Sequence, residues 1–365
     1  MREHVVENGG LSRRQMLMRS ALAAGALTAT GAVAACGSDE ESGGSTKADS
    51  GGGVGQFPST PKWRFVLVNH VTTNPFFVPT QYGAQDACAI FGCSYQWTGS
   101  KTAVSKEMVD AMNTAISGKA DGIAVCDTDP KAFSGPINKA LDAGIPTLTY
   151  NADGTLESKK DRIAYIGQDL FLSGQLMGQR ITEIVDSGKV VIFIATPGQA
   201  NIQPRADGAI EAIKKSGKDI QVKQVATGAE LPEELRRIDS YYQGNKDVKG
   251  MFGVDAGSTQ GVGQIIEKYK LQGKVQGGGY DLLDKTIEFV DQEILAFTID
   301  QQPYLQGFLP IQQLYMYKLS GSLSGTADTN TGVKFLGKDD VQVYLKNKTR
   351  YQGSSDKQQY VQAQA

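Results

Sequence analysis

Histidine is almost absent from this chain: His4 and His70 are the only two among 365 residues. His4 falls in the leader described below, so the processed chain would keep His70 alone. One imidazole excludes histidine–metal clusters and leaves little room for Ser-His-Asp chemistry. No metal and no cofactor is therefore expected. Cysteine is also scarce, at Cys36, Cys88, Cys93 and Cys126. With Cys36 modified, three thiols remain and at least one stays free; Cys88 and Cys93 either pair across a helix end or stay as small buried thiols. A basic surplus is missing too: 37 Lys and Arg face 39 Asp and Glu, for a net charge of −2. Without residues 1–35 the balance is 33 basic against 37 acidic, a net of −4. Such a surface gives nucleic acid nothing to bind. Gly51-Gly52-Gly53 and Gly277-Gly278-Gly279 make no GxGxxG turn opening a helix, and GxSxG does not occur. An exported α/β oxidoreductase or hydrolase thus lacks its usual signatures.

What is present begins at the N-terminus. Ser12-Arg13-Arg14-Gln15-Met16-Leu17 precedes an Ala/Gly/Thr-rich run, Ala21 to Ala35, which ends in Val33-Ala34-Ala35-Cys36. The run has fifteen residues, too few to cross a hydrocarbon core of ~30 Å as a helix. The segment resembles a twin-arginine export signal joined to a bacterial lipoprotein cleavage box, whose small residues give a signal peptidase an unhindered backbone. The resemblance implies that Cys36 becomes the first residue and carries lipid. Two acyl chains on Cys36 would hold the protein on the outer face of the cytoplasmic membrane, where one chain is marginal. The alternative is an uncleaved N-terminal anchor. Gly37 to about Gln56 is rich in Ser, Gly, Asp and Glu and reads as a flexible tether, with order beginning near Pro61-Lys62-Trp63.

Beyond the tether, short apolar runs alternate with amphipathic segments of helix length. Ten strands are expected, from Arg64–Val68 to Ala296–Ile299, with helices between them from 76–91 to 303–319. Runs apolar on both faces, each followed by a helix, make parallel sheets covered by helices. Two sheets of about five strands suit the length better than one of ten. The expected fold is α/β, with two similar lobes and a chain that crosses between them more than once. Ser173-Gly174 and Gly178 would permit close helix packing.

Ligands of open parallel sheets bind beyond the carboxyl ends of the strands. The residues found there are Asn69-His70, Asp127, Asn151, Thr196, Asp255, Asp281 and Asp300-Gln301. They are mostly amides and carboxylates, with no nucleophile paired to a base. Asn74-Pro75-Phe76-Phe77 adds two aromatics at the start of the first helix. Hydroxyl-bonding groups beside aromatic faces form a carbohydrate site in chemical terms. Any one of these aspartates, taken singly, is equally a helix N-cap or a turn residue.

The stretch Val66 to Phe77 resembles the first strand and turn of type I periplasmic sugar-binding proteins, the ribose-binding group that serves ABC importers. The likeness continues through Ala120-Asp121-Gly122-Ile123, Ala143-Gly144-Ile145-Pro146-Thr147, Ile166-Gly167-Gln168-Asp169, Arg205-Ala206-Asp207-Gly208, Gly279-Tyr280-Asp281 and Thr298-Ile299-Asp300-Gln301. It implies three hinge crossings and a layout of 1–35 signal, 36–61 tether, 62–167 plus 302–330 in lobe 1, and 168–301 plus 331–365 in lobe 2. It further implies that Phe76 and Phe77 stack on a sugar and Asn74 bonds a hydroxyl. Asp127, Asn151, Arg205, Asp255, Asp281 and Gln301 would complete the site, with His70 beside them. Asn151-Ala152 stands where the ribose group typically has Asp-Arg, which argues against ribose itself. The expected role is a monomeric, lipid-anchored solute-binding protein that delivers a neutral monosaccharide or sugar alcohol to a membrane permease. A sensory or autoinducer-binding receptor shares that fold and is the alternative.

Overall fold

The structure, a computed structural model, describes residues 58–154, 162–322 and 326–358. The export signal, Cys36 and most of the tether lie outside the described residues. Within Pro58–Ala365 the chain builds two six-stranded sheets.

The first sheet contains β1 (Arg64–Asn69), β2 (Ser94–Gly99), β3 (Gly122–Val125), β4 (Thr147–Tyr150), β5 (Tyr165–Gly167) and β11 (Thr329–Asn330), in the order β11-β5-β4-β3-β1-β2. All its pairings are parallel. Four helices belong to it: α1 (Val78–Phe91), α2 (Ser105–Ser117), α3 (Pro130–Asp142) and α9 (Leu305–Ser320), the last packed on α1. The second sheet contains β6 (Gly188–Ile194), β7 (Ile220–Ala226), β8 (Val248–Gly253), β9 (Gln276–Tyr280), β10 (Phe297–Asp300) and β12 (Lys334–Leu336), in the order β12-β10-β9-β8-β6-β7. It is flanked by α4 (Leu170–Ile184), α5 (Gln203–Lys215), α6 (Leu231–Gly244), α7 (Ala256–Lys268), α8 (Asp284–Asp291) and α10 (Lys338–Lys346). Only β12 runs antiparallel, against β10.

The composition of the strands explains the layering. β1, β3 and β4 are buried along nearly their whole length because helices cover both faces. Phe65, Leu67, Ile123 and Leu148 are fully enclosed in the first core. Truncating such a side chain to alanine costs about 2–5 kcal/mol. The second sheet has separate cores on its two faces, one around Met251 and Phe289 and one around Ile192 and Phe297. Proline opens α3 and sits in the first turn of α1, α5 and α6, where its missing N–H is harmless.

Up to α10 the chain passes between lobes three times, from β5 to α4, from β10 to α9 and from β11 to β12, and it passes a fourth time after α10. The ten expected strands are present within a few residues. β11, β12 and α10 were not foreseen. The first two are strands of two and three residues, too short to carry a periodicity, and they form only where the chain pairs with a sheet edge.

The expected second-lobe stretch 331–365 is divided. β12 and α10 belong to the second lobe, but the segment after them returns to the first. Arg350 pairs with Asp86 of α1 at 2.9 Å, both side chains being largely buried, and its guanidinium lies 4.3 Å from the centre of the Tyr82 ring. Tyr351 meets Tyr304 edge-on with ring centroids 4.7 Å apart.

Candidate ligand-binding cleft

The carboxyl ends of both sheets face a cavity enclosing about 540 Å³, its mouth included. From the first lobe it is lined by His70, Asn74, Phe76, Phe77 and Asn151, and from the second by Arg205, Asp255 and Asp281, with Gln301 at the second crossing. Nine of the ten residues expected at the site therefore share one wall-to-wall space. Asp127 is the exception: it is buried at the end of β3 but does not line the cavity. One position past a strand does not settle which side of the wall a residue occupies.

Local structure sets each side chain. Asn69 ends β1; its Oδ1 accepts from Val71 N at 2.9 Å and its Nδ2 donates to Tyr150 OH at 3.1 Å, which fixes the turn carrying His70. Burial pulls His70 down to about 4, so its ring is neutral. Asn201 Nδ2 lies 3.1 Å from His70 Nε2 and can only donate, which leaves His70 Nδ1 as the protonated nitrogen. His70 Nδ1 and Asn201 Oδ1 are both buried without a protein partner, in side chains that line the cavity. A buried donor and acceptor of this kind are what a ligand hydroxyl satisfies.

Asn74 caps the short turn Pro75–Phe77, its Oδ1 accepting from Phe76 N at 2.9 Å, and its Nδ2 remains as a donor. Phe76 and Phe77 meet edge-on at 4.7 Å, with Ala256 of the opposite lobe packed against them. Phe77 is 2% exposed and also touches His70 and Trp97. It is therefore a support of the cleft as well as one of its surfaces. Trp97 stands behind it and donates to Thr72 O at 3.2 Å.

Arg205 is held where two helices nearly touch. A Cβ on Gly174 would fall 2.2 Å from Arg205 O, and one on Gly178 would fall 2.5 Å from Ala209 O, so α4 and α5 approach this closely only because α4 carries glycine there. Arg205 Nε donates to Gln168 Oε1 at 3.2 Å and Nη1 to Val254 O at 3.1 Å, while the guanidinium lies 4.3 Å from the centre of the Tyr280 ring. These bonds orient a cation that still has N–H donors to offer. Asp281 accepts from Gln301 Nε2 at 2.7 Å. Burial raises its carboxyl to about 7, opposed by Arg205 and by the Gln301 bond.

Asp255 caps α7 through Oδ1, which accepts from Ser258 N at 2.8 Å, while Oδ2 accepts from Ala195 N at 2.9 Å. It is both the expected strand-end carboxylate and a structural cap. The crossings are tied together by Gln306, which takes Asn151 Nδ2 at 2.9 Å and donates to Gln301 O at 3.0 Å and Thr331 Oγ1 at 3.2 Å.

Sequence reasoning missed Asn201, Glu234 and Gln306. Asn201 lies in the loop between β6 and α5, which has no pattern to read, and Glu234 falls in the amphipathic stretch Leu231-Pro232-Glu233-Glu234-Leu235, where an acid suits a solvated face. Yet Glu234 lines the cavity and is buried, which drives its carboxyl up to about 10, with Asp255 next to it as the second cause.

The lobes are in contact across the opening. Besides the Asn201–His70 contact, Gln199 Nε2 donates to Ala103 O at 3.2 Å and Ala200 N to Thr128 O at 3.0 Å. Among the described residues no cluster of His, Cys, Asp and Glu is arranged to hold a metal ion.

Two parallel-sheet lobes with a ligand-sized cavity between them have clear counterparts. The periplasmic binding protein domain profile matches residues 65–322. This chain belongs to the periplasmic binding protein family. It is a substrate-binding protein, not an enzyme. It is 48% identical to the xylose/arabinose-binding protein XylF of Sulfolobus acidocaldarius, over 96% of this chain and 91% of that protein. It is 24% identical to the ribose import binding protein RbsB of Escherichia coli, over 65% of this chain and 78% of that protein. Among solved structures, an ABC transporter solute-binding protein from Burkholderia graminis in complex with D-arabinose superposes with a TM-score of 0.72 at 24% identity, covering 79% of this chain and 99% of that one. That likeness is one of fold.

Proposed function

We propose that this periplasmic binding protein captures a neutral pentose, of the xylose or arabinose type, in the interlobe cavity and delivers it to an ABC importer. The observation that carries the reading is a cavity whose polar groups come from both lobes and include a buried donor and acceptor without protein partners. Neither lobe alone surrounds a sugar, so binding must favour the closed arrangement over the open one. The crossings near 167–168, 300–302 and 328–334 would absorb the change. Sugar C–H faces would lie against Phe76 and Phe77, while hydroxyls would meet Asn74, Asn151, Asp255, Asp281, Gln301 and Arg205. Asp127 would support the wall rather than touch the ligand. Similarity to the xylose/arabinose-binding relative supports a pentose, and the absence of a second cation among the lining residues supports a neutral one.

Residues 12–36 support export through the twin-arginine route and attachment by lipid on Cys36. Calorimetric titration of the purified domain with D-xylose, L-arabinose, D-ribose, D-glucose and myo-inositol tests the ligand reading. The first two should bind more tightly than the rest. Binding of none of the five would overturn it.

A further inference from the structure

Glu234 is a carboxyl that sugar recognition at strand ends does not explain. It lies on α6, is 1% exposed, and lines the cavity beside Asp255. Ser258 Oγ donates to Glu234 Oε2 at 2.9 Å, so the Thr227 hydroxyl, 2.8 Å from Ser258 Oγ, must donate in turn to Ser258. A Cβ on Gly257 would fall 2.1 Å from Glu234 Oε1, so the start of α7 admits this side chain only because residue 257 is glycine. Ser258 ties Glu234 to Asp255, its N donating to Asp255 Oδ1 at 2.8 Å and its Oγ to Glu234 Oε2 at 2.9 Å. Two buried carboxylates held on one residue, with no cation between them, repel unless one keeps a proton. Both oxygens of Asp255 already accept backbone N–H groups, which leaves Glu234 to carry it.

We propose that Glu234 is a neutral, buried carboxyl that sets the charge of the cleft, leaving Asp255 as the only carboxylate on this part of the wall and so keeping the site fitted to an uncharged ligand. The proposal rests on the neutral-sugar reading above and adds the device that enforces it. The groups facing Glu234 are Asp255 and Ser258 at the start of α7, Thr227 after β7 and Glu233 on its own helix. No cation is among them. With Glu234 neutral, the lining carries Arg205 against the carboxyls of Asp255 and Asp281. Loss of its proton would add a further buried negative charge beside Asp255 and weaken the hold of the cleft on an uncharged ligand.

The test uses Glu234→Gln, which keeps one donor and one acceptor in nearly the same shape and cannot ionise. D-xylose is titrated into the wild-type domain and the variant from about pH 7.5 to about pH 11, one unit above the value to which burial drives Glu234. Wild-type affinity should fall at least tenfold over that range, whereas the variant should bind within about threefold of wild type at the lower pH and stay flat. A variant that loses binding while wild type keeps a flat profile overturns the proposal. Thermal unfolding without ligand separates this inference from the sugar reading. A group whose folded pKa is raised gives up its stabilising contribution as pH rises toward that value, here from the ordinary carboxyl range toward about 10. The melting temperature of wild type relative to Glu234→Gln should therefore drop steadily with pH. A constant difference would show that Glu234 carries no proton, whatever sugar the domain binds; failure of D-xylose and the other sugars to bind would instead count against the ligand reading.

Discussion

Acidification should weaken ligand binding, and Asp281 is the reason. In the free protein its carboxyl is raised to about 7 because burial outweighs the attraction of Arg205 and the bond from Gln301. A sugar hydroxyl that donates to Asp281 needs the ionised form, so binding below that value must first expel a proton. If the bound carboxyl stays ionised, affinity falls by the fraction still protonated in the free state. At about pH 5.5 that fraction leaves roughly one molecule in thirty competent, so the apparent affinity should be about 30-fold weaker than on the alkaline side of neutrality. Calorimetry with D-xylose between about pH 5.5 and pH 8 reads this directly, and buffers of different ionisation enthalpy should reveal proton release at the lower end. Asp281→Asn should flatten the profile. The effect on folding has the opposite sense: this group favours the fold most below the ordinary aspartate range and gives up that contribution as pH rises through about 7. Affinity unchanged at pH 5.5, or an equal fall in Asp281→Asn, would refute the reasoning.

Other variants probe the scaffold and the anchor. Phe77→Ala should weaken binding and also lower stability by about 3 kcal/mol, because the ring is enclosed by Phe76, His70 and Trp97; chemical denaturation should show the loss without ligand. Gly174→Leu should separate α4 from α5, displace Arg205 and reduce both the melting temperature and sugar affinity, whereas substitution at the open turn of Gly144 should leave affinity unchanged. Cys36→Ser should leave the protein unprocessed or shed it from the membrane fraction, and normal retention with the leader removed would refute lipid attachment there.

Much of this fold was legible because its strands are short, apolar and separated by helices with proline-marked starts. Arg64–Asn69 and Thr147–Tyr150 announce themselves by composition alone. Thr329–Asn330 and Lys334–Leu336 do not, since their strand character comes from the edges they join. The return of Arg350 to Asp86 was equally hidden, because an ion pair across 264 positions leaves no local trace. At the site, the strand-end rule located the first-lobe amides and the second-lobe carboxylates, since parallel sheets put those positions on one rim. It also named Asp127, which does not line the cavity, and it passed over Asn201 in a loop and Glu234 on a helix. Gln306 was lost for a different reason: it acts through Asn151, Gln301 and Thr331, which meet only when the crossings are assembled.

Closure of one lobe on the other should be what holds the ligand. The bonds from Asn201, Gln199 and Ala200 to the first lobe describe the closed form. Small-angle scattering of the domain with and without saturating ligand measures the difference most directly. Closure should give a smaller radius of gyration and a shorter maximum dimension with ligand bound, and a scattering profile that is the same in both states, at a ligand concentration calorimetry shows to be saturating, would rule closure out.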